Sequence, residues 1–463
     1  MSIQFKNKKV LSVFALIMIN VVAVDSLRSL PISAEYGFSL VFYYLIGAIF
    51  FLIPVALVAA ELATGWPETG GIYVWVREAF GKRAAFLVIW LQWLYNIVWY
   101  PTIMSLLAAT LAYLFMPSLA QDKWYMWIVV VTMFWGATLV NWYGMKLSSG
   151  LSALATIFGT LLPIFFIIVL GIIWLIKGNP VHIDVSWKGF LPNMTSINNL
   201  ALLSSVLFGL IGLEMSAVHA GEVKNPQRDY PRALFISAVL IIVTLTLGSL
   251  AIAMVVPAGQ LDLASGLMES FSIFFNAYHI TWMVPVIAIL IILGGFGTVS
   301  AWVIGPTKGM MVAAIDKNAP AYLTRRNQYG VPVNVLLTQG IVFTILSTLF
   351  IFMPSINSAF GLLSQMTGEV ALIVYMLIFA AAIRLRYKRP NVARKFRVPG
   401  GNAGMWIIAG AGILISSVVF IIGLFPPSQI NVGSVAVYEA ILIGGTIVIC
   451  LPAFLWHRSK GNS

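Results

Sequence analysis

The sequence predicts an all-α protein that crosses a membrane twelve times, and three observations carry that expectation. Of its 463 residues 60% are apolar and only 9% charged, with a mean hydropathy of +0.96, where a soluble domain carries roughly 25% charged residues. The apolar residues gather in runs of the ~20 residues that cross the hydrocarbon core as a helix, without the strict alternation of a barrel strand. The basic residues lie between those runs with a strong bias to one side. The same composition excludes disorder, collagen and coiled coil.

Apolar runs separated by polar or Pro/Gly breaks read as spans at about 10–36, 38–61, 84–115, 124–143, 148–177, 197–221, 232–257, 281–312, 332–353, 358–383, 405–425 and 434–456. The first follows Lys6, Lys8 and Lys9, as a signal peptide would, but no small-residue cleavage site and polar mature domain come after it, so it reads as a retained helix. With twelve spans both termini share one side. Of the 27 Lys and Arg, all except Arg28, Lys123, Lys177 and Lys188 lie on that side, which places both termini in the cytoplasm and the chain in the cell (inner) membrane. The cluster Arg384 to Arg397 before the eleventh span reads as a topogenic charged loop. The formal charge of +12 would suggest nucleic acid in a soluble chain; here no such partner is expected. The lone Cys450 forms no intrachain disulfide.

Two spans are interrupted. In the first, the charge-free run Val10 to Val24 is followed by Asp25-Ser26-Leu27-Arg28-Ser29-Leu30-Pro31. Opposite charges three positions apart, two hydroxyls and a proline are what an unwound segment lining a cavity contains, because lipid penalises each; the alternatives are that Asp25 and Arg28 merely neutralise each other or that the helix simply ends at Val24. The sixth carries Phe208-Gly209-Leu210-Ile211-Gly212-Leu213-Glu214, two glycines three apart and then an acid. Breaks at positions one and six are the signature of a five-plus-five inverted repeat: residues 10–177 and 197–383 hold five spans each, and 405–456 adds the last two. Half-helix N-termini would then turn unpaired N–H groups into the midplane, suited to a small molecule with an anionic end such as an amino acid.

Glu214, in an otherwise uncharged stretch, is the first candidate for proton coupling or gating. Glu369 and Glu439 read as structural acids, and Glu61 as a cap or loop partner at a span end. Tyr95, Trp99, Phe208, Phe296 and Trp302 lie near the expected cavity, where aromatics otherwise serve packing or the interfacial belt. His182, His219, His279 and His457 are isolated, with His219 the only one near Glu214. No metal motif or Walker loop occurs, and no loop is long enough for a catalytic or nucleotide-binding domain. The chain reads as no enzyme, with no cofactor and no metal, and coupling falls to ions or a counter-substrate.

Several segments together resemble a family. Glu61 to Thr64 with Gly70 to Val76, Gly209 to Glu214 running into Glu222 to Pro231, Ala301 to Met310, Pro390 to Gly401 and Phe425-Pro426-Pro427 are similar to the amino acid-polyamine-organocation superfamily, and within it to the bacterial glutamate:GABA antiporter group. The resemblance implies a LeuT-type fold with substrate held at broken helices 1 and 6, and exchange or proton-coupled transport. It implies that Glu214 belongs to a gating layer, that Phe208 covers the substrate, that Tyr95 is a third-helix gate tyrosine and that Phe296 stands where relatives carry an eighth-helix tryptophan. Val24-Asp25-Ser26 replaces the superfamily's Gly-Ser-Gly-like turn, Thr298 stands where that antiporter has an acidic residue, and the antiporter's long C-terminal plug is not expected here.

The expected function is secondary active transport of a small amino acid or its decarboxylation product by alternating access. Asp25, Ser26, Phe208, Gly209 and Gly212 would hold the substrate's backbone, beside Tyr95, Phe296 and Trp302. A cavity-facing Arg28 would favour an acidic side chain, and a cavity-facing Asp25 a cationic amino acid or polyamine; the sequence leaves both open. A non-transporting amino acid sensor is the alternative from another class, disfavoured by the short loops. Partners are the substrate, protons and membrane lipids, and the homodimer some superfamily members form, with no interface assigned.

Overall fold

A computed structural model describes residues 12–66, 70–143, 157–214, 225–315 and 319–460. Among these residues the chain is helical, with one isolated β-bridge between Arg326 and Pro332. Two apolar half-length helices stand out, α1 (Val13–Val24) and α8 (Ile197–Phe208), and α1 is followed after a gap by the six-residue α2 (Ser29–Ala34). Ten helices are long and apolar enough to cross a membrane. They are α3 (Gly37–Gly65), α5 (Lys82–Ala112), α6 (Lys123–Trp142), α7 (Ile157–Ile176), α9 (Pro226–Val255), α11 (Met283–Ile315), α12 (Val333–Phe352), α13 (Ile356–Lys388), α14 (Gly401–Gly423) and α15 (Val435–Lys460). Among the shorter helices between spans are α4 (Ile72–Phe80) and α10 (Gly266–Ala277).

The ten long helices overlie predicted spans two to five and seven to twelve to within a few residues. The first span differs: its helix stops at Val24, resumes at Ser29 and ends at Ala34, so Glu35 falls in a turn rather than inside a span reaching residue 36. The start of span five (148–156), the end of span six (215–221) with His219, the motif residues 222–224, and Lys6, Lys8, Lys9, Lys146 and Lys317 lie outside the described residues.

Burial ranks the helices. The apolar window of α5 is 94% buried and that of α13 78%, against 28% for α14 and 17% for α15. A helix apolar all round belongs in the middle of a bundle, and α5 and α13 occupy it, lying along each other. Helices α14 and α15 leave most of their apolar surface outward, as lipid requires.

Polar side chains set how α1 lies on α9. Ser237 and Thr244 are seven residues apart, on one face of α9. Ser237 Oγ accepts from Asn20 Nδ2 at 3.2 Å, and Thr244 Oγ1 lies 2.9 and 3.1 Å from the two carboxylate oxygens of Asp25. The half-helix is therefore pinned by hydrogen bonds as well as by apolar contact.

At one end of the bundle Glu61, on α3, binds the end of α13 and the α13–α14 connection. Arg386 Nε and Nη2 each donate to its carboxylate at 2.6 Å, the Val398 N–H donates at 2.8 Å, and Arg394 Nε lies 3.3 Å away. Nearby Lys388 Nζ donates to the carbonyls of Glu78 and Ala79 at 2.9 and 3.2 Å. The basic cluster read as a topogenic charged loop is partly interior: Arg386 and Arg394 are buried, because Glu61 gives them a counter-charge that an unpaired guanidinium would lack.

Candidate functional site

Helix α1 ends where Asp25 begins an extended stretch, and Ser29 starts α2 after a single turn closed by its N–H donating to Ser26 at 3.0 Å. A helix end leaves its last carbonyls and first amides without intrahelical partners, so this gap turns both kinds of group toward one place. Helix α8 ends at Phe208, and the chain then passes Gly212 at φ +129°. Only glycine adopts that conformation without strain. It also lets the two interruptions touch, since a Cβ on Gly212 would stand 3.0 Å from the Ala23 carbonyl oxygen and one on Gly209 3.1 Å from Ser29 Oγ.

Around this crossing lies a cavity with about 450 Å³ of space, its mouth included. The first gap contributes Asp25, Ser26 and Arg28, the end of α8 and the residue after it contribute Phe208 and Gly209, α5 contributes Tyr95, Asn96 and Trp99, and α11 contributes Thr298 and Trp302. The spacings are helical: positions 95 and 99, and 298 and 302, are each one turn apart on a shared face. Two aromatic pairs bound it, with Tyr95 edge-on to Phe208 at 6.1 Å and Trp99 edge-on to Trp302 at 5.8 Å between ring centroids. Tyr100 OH donates to the Trp302 carbonyl at 2.9 Å and fixes α11 against α5.

Asp25 and Arg28 do not pair. The Asp25 carboxylate is held by Thr244, whereas Arg28 Nη1 donates to Ser364 Oγ at 3.0 Å and its Cζ lies 5.1 Å from the Phe208 ring centroid, a cation–π distance. Arg28 is 1% exposed, and its Nε has no hydrogen-bond partner. The reading in which the two charges simply neutralise each other does not hold in this conformation.

Glu214 lies beyond the lining rather than in it. Tyr375 OH donates to Glu214 Oε2 and accepts the Gly212 N–H at 3.2 Å, while Glu214 Oε1 has no partner. Gly212 is likewise a shaping residue outside the lining. Phe296 is the clear correction among the expected site residues. Two positions before Thr298 on α11, it faces the opposite way, its ring tip 4.0 Å from where a Cβ on Gly136 of α6 would sit; two residues turn a helix by about 200°. Sequence reasoning missed Thr244, Ser364, Asn96 and Tyr375. The signal available was a polar residue alone in an apolar helix, but each reads as an ordinary hydroxyl or amide until its partner across the bundle is known.

The turn after α2 carries Glu35, buried with its Oε2 accepting the Gly259 N–H at 2.9 Å. Burial pushes this carboxyl up to about 7, with the Gly259 hydrogen bond opposing the shift.

Residues 9–447 match the family described as amino acid permease. The chain is 57% identical over 454 residues to an uncharacterized transporter of Legionella pneumophila, covering 98% of this chain and 97% of that one. It is 32% identical over 466 residues to the glutamate/gamma-aminobutyrate antiporter of Lactococcus lactis subsp. lactis, covering 98% and 92%. Among solved structures it is similar to the manganese transporter of Eremococcus coleocola, with a TM-score of 0.59 and 14% identity over 99% of each chain; at that identity the likeness concerns the fold alone.

Proposed function

Because the chain belongs to the amino acid permease family, we propose that it carries an acidic amino acid or the corresponding decarboxylation product across the cell membrane, by exchange or with protons, through alternating access. The frame of this reading is an inverted repeat of residues 10–177 and 197–383, with 405–456 outside it, twelve spans in all and both termini cytoplasmic. The contact between the gap after Val24 and the gap after Phe208 supports it, as does the cavity drawn from both gaps.

The observation that carries the substrate class is Arg28. A guanidinium 1% exposed in a cavity wall, without a carboxylate and with Nε unpartnered, favours an anionic group on the ligand, which would supply the charge-assisted hydrogen bond that the protein leaves open. The carbonyls ending α1 suit an ammonium and the amides opening the second half suit a carboxylate. Phe208 and Tyr95 on one side and Trp99 and Trp302 on the other would enclose the ligand, with Gly209 and Ser26 giving backbone access. Glu214, tied to Tyr375 and Gly212, would link the ligand-bound state to gate movement. The 32% identity to a glutamate/gamma-aminobutyrate antiporter agrees with this class.

Asp25 supports a second reading, a cationic amino acid or polyamine, since it too lines the cavity. Its two oxygens already lie within hydrogen-bonding reach of Thr244, which ranks it below Arg28. Uptake and counterflow in proteoliposomes, with labelled glutamate, γ-aminobutyrate, arginine and putrescine at two pH values, test both. Glutamate-class flux that Arg28→Ala abolishes and Asp25→Asn spares supports the first reading; putrescine or arginine flux with the opposite sensitivity replaces it with the second. Binding without flux would make the chain a sensor and end both.

A further inference from the structure

One buried acid has no place in that reading. Glu369, on α13, is fully buried, and neither carboxylate oxygen has a hydrogen-bond partner among the described residues. It projects into a seam between α8 and α14. A Cβ on Gly423 of α14 would collide with Glu369 Oε1 and would lie 2.8 and 2.9 Å from Ser204 Cβ and Oγ of α8, while one on the adjacent Gly368 would lie 2.8 Å from the Ser204 carbonyl oxygen. The Ser204 hydroxyl is buried and also unpartnered. One turn earlier Gln365 Nε2 donates to the Ala201 carbonyl of α8 at 2.9 Å and to the Phe425 carbonyl at 3.3 Å. The half-helix α8 is thus seated on α13 through Gly368 and the Glu369 carboxyl and on α14 through Gly423.

No cation balances that carboxyl. Of the ionisable groups on the packed elements, Arg28 turns to Ser364 and the Phe208 ring, Tyr375 donates to Glu214, Tyr438 donates to Gln365, and Tyr95 packs on Phe208. Glu439, beside Tyr438 on α15, would only add negative charge, and α8 and α14 carry no ionisable residue at all. The Ser204 hydroxyl beside it is the one neutral donor within reach; a carboxylate anion with no cation and a single hydroxyl in a dry interior still costs several kcal/mol, whereas the neutral acid fits the seam and can itself donate to that hydroxyl.

We propose that Glu369 is a proton-binding site that couples protonation to the seating of α8 against α13 and α14, separate from the cavity and from Glu214. The proton is held while α8 is seated and leaves when α8 moves away and water reaches the carboxyl. Linkage fixes the sign: raising the pH favours the displaced state, by up to about tenfold per pH unit across the range in which the seated form holds the proton and the displaced form does not. Because α8 forms one wall of the cavity, protons and ligand would bias the same half-helix.

The test needs no transported substrate, so it stands or falls apart from the proposed function. Hydrogen exchange of the 197–208 segment is followed by mass spectrometry on the purified full chain in detergent, with rates divided by those of the unstructured peptide at each pH. The wild type should lose protection by up to about tenfold per pH unit over part of its range, Glu369→Gln should hold acid-like protection at every pH, and Glu369→Asp should restore the slope. The infrared carbonyl band of a protonated carboxyl should be present in the wild type, absent from the Glu369→Gln difference spectrum, and lost over the same pH range as the protection. A pH slope unchanged in Glu369→Gln, a flat wild-type profile, or a band that persists while protection falls would each overturn the proposal. Should Glu369→Gln fail to fold, the Glu369→Asp profile and the wild-type band decide it.

Discussion

Glu61 and the gap between α1 and α2 each bring buried charge into the bundle, and they do so in opposite ways. At Glu61 every carboxylate oxygen is engaged: two guanidinium contacts at 2.6 Å, the Val398 amide at 2.8 Å and Arg394 beside them. At the gap, Arg28 Nε, the Tyr95 hydroxyl and, a turn beyond, Glu214 Oε1 have no partner. At Glu61 the opposite charges already face each other, Arg394 Nε lying 3.3 Å from the carboxylate though outside hydrogen-bond geometry, so a ligand adds little; Arg28 has no counter-charge, and an anionic ligand would supply one. The difference separates a fastening from a site without reference to any relative.

Removing the fastening should cost the most. Glu61→Ala leaves Arg386 and Arg394 buried without their counter-charge, and breaking a buried pair from one side destabilises by about 3–5 kcal/mol. The expected outcome is a large drop in the detergent melting temperature, with the surviving folded protein binding ligand as before. A variant that keeps its melting temperature but loses transport would put Glu61 on the functional side and break the comparison. Arg28→Ala should do the reverse: uptake efficiency for an acidic amino acid falls by at least ~100-fold, about 2.7 kcal/mol, while the melting temperature stays or rises because an uncompensated charge has left the interior. Arg28→Lys should recover only part of the loss, since an ammonium lacks the planar fork.

Between these extremes stands Glu35, with one donor. Its carboxyl is raised from 4.5 to about 7, so burial of the charged form opposes the closed turn above that range and is relieved below the ordinary carboxylate value. Sign and size follow from linkage: the contact to the loop carrying Gly259 should tighten by roughly 2–3 kcal/mol as the pH falls from 7 to 4.5. Hydrogen exchange of residues 257–265 across that range measures it. Glu35→Gln, neutral throughout and still able to accept the Gly259 N–H, should show the acid-like value at every pH; a pH dependence retained in that variant would assign the effect elsewhere.

The span positions were legible because lipid imposes one rule on every residue of a span, and composition records it locally. The gap at Asp25 to Ser29 was legible for the same reason: charges and proline violate the rule together. Phe296 was not legible, because which face of an all-apolar helix meets a cavity depends on neighbours that leave no trace in its own periodicity; α11 is apolar on both the Thr298 face and the Phe296 face. The partners Thr244 and Ser364 were hidden differently. They sit 219 and 336 positions from Asp25 and Arg28, and a single hydroxyl in an apolar run is common enough to carry no signal until the bundle closes around it. The inverse holds for the cluster Arg384 to Arg397, whose charge was obvious and whose burial depended on Glu61.

The smallest expected effect probes the boundary between the two kinds of charge. Tyr375 OH both donates to Glu214 and accepts the Gly212 N–H, so it joins the acid to the one residue whose positive φ shapes the α8 break. Tyr375→Phe keeps the ring, which packs 5.1 Å from Phe51, and deletes only the bridge. If Glu214 belongs with the fastenings, losing the bridge should destabilise the fold by the ~1–3 kcal/mol of an orphaned buried acceptor, read as a lower melting temperature, and leave the pH profile of transport unchanged. If it belongs with the site, stability should move by about 1 kcal/mol or less, as at a place already short of partners, and the pH profile should shift, because the carboxyl has lost the donor that favours its charged form. The second outcome is the one expected. Glu214→Gln in the same assay supplies the limit, a flattened profile toward which the Tyr375→Phe curve should move without reaching it.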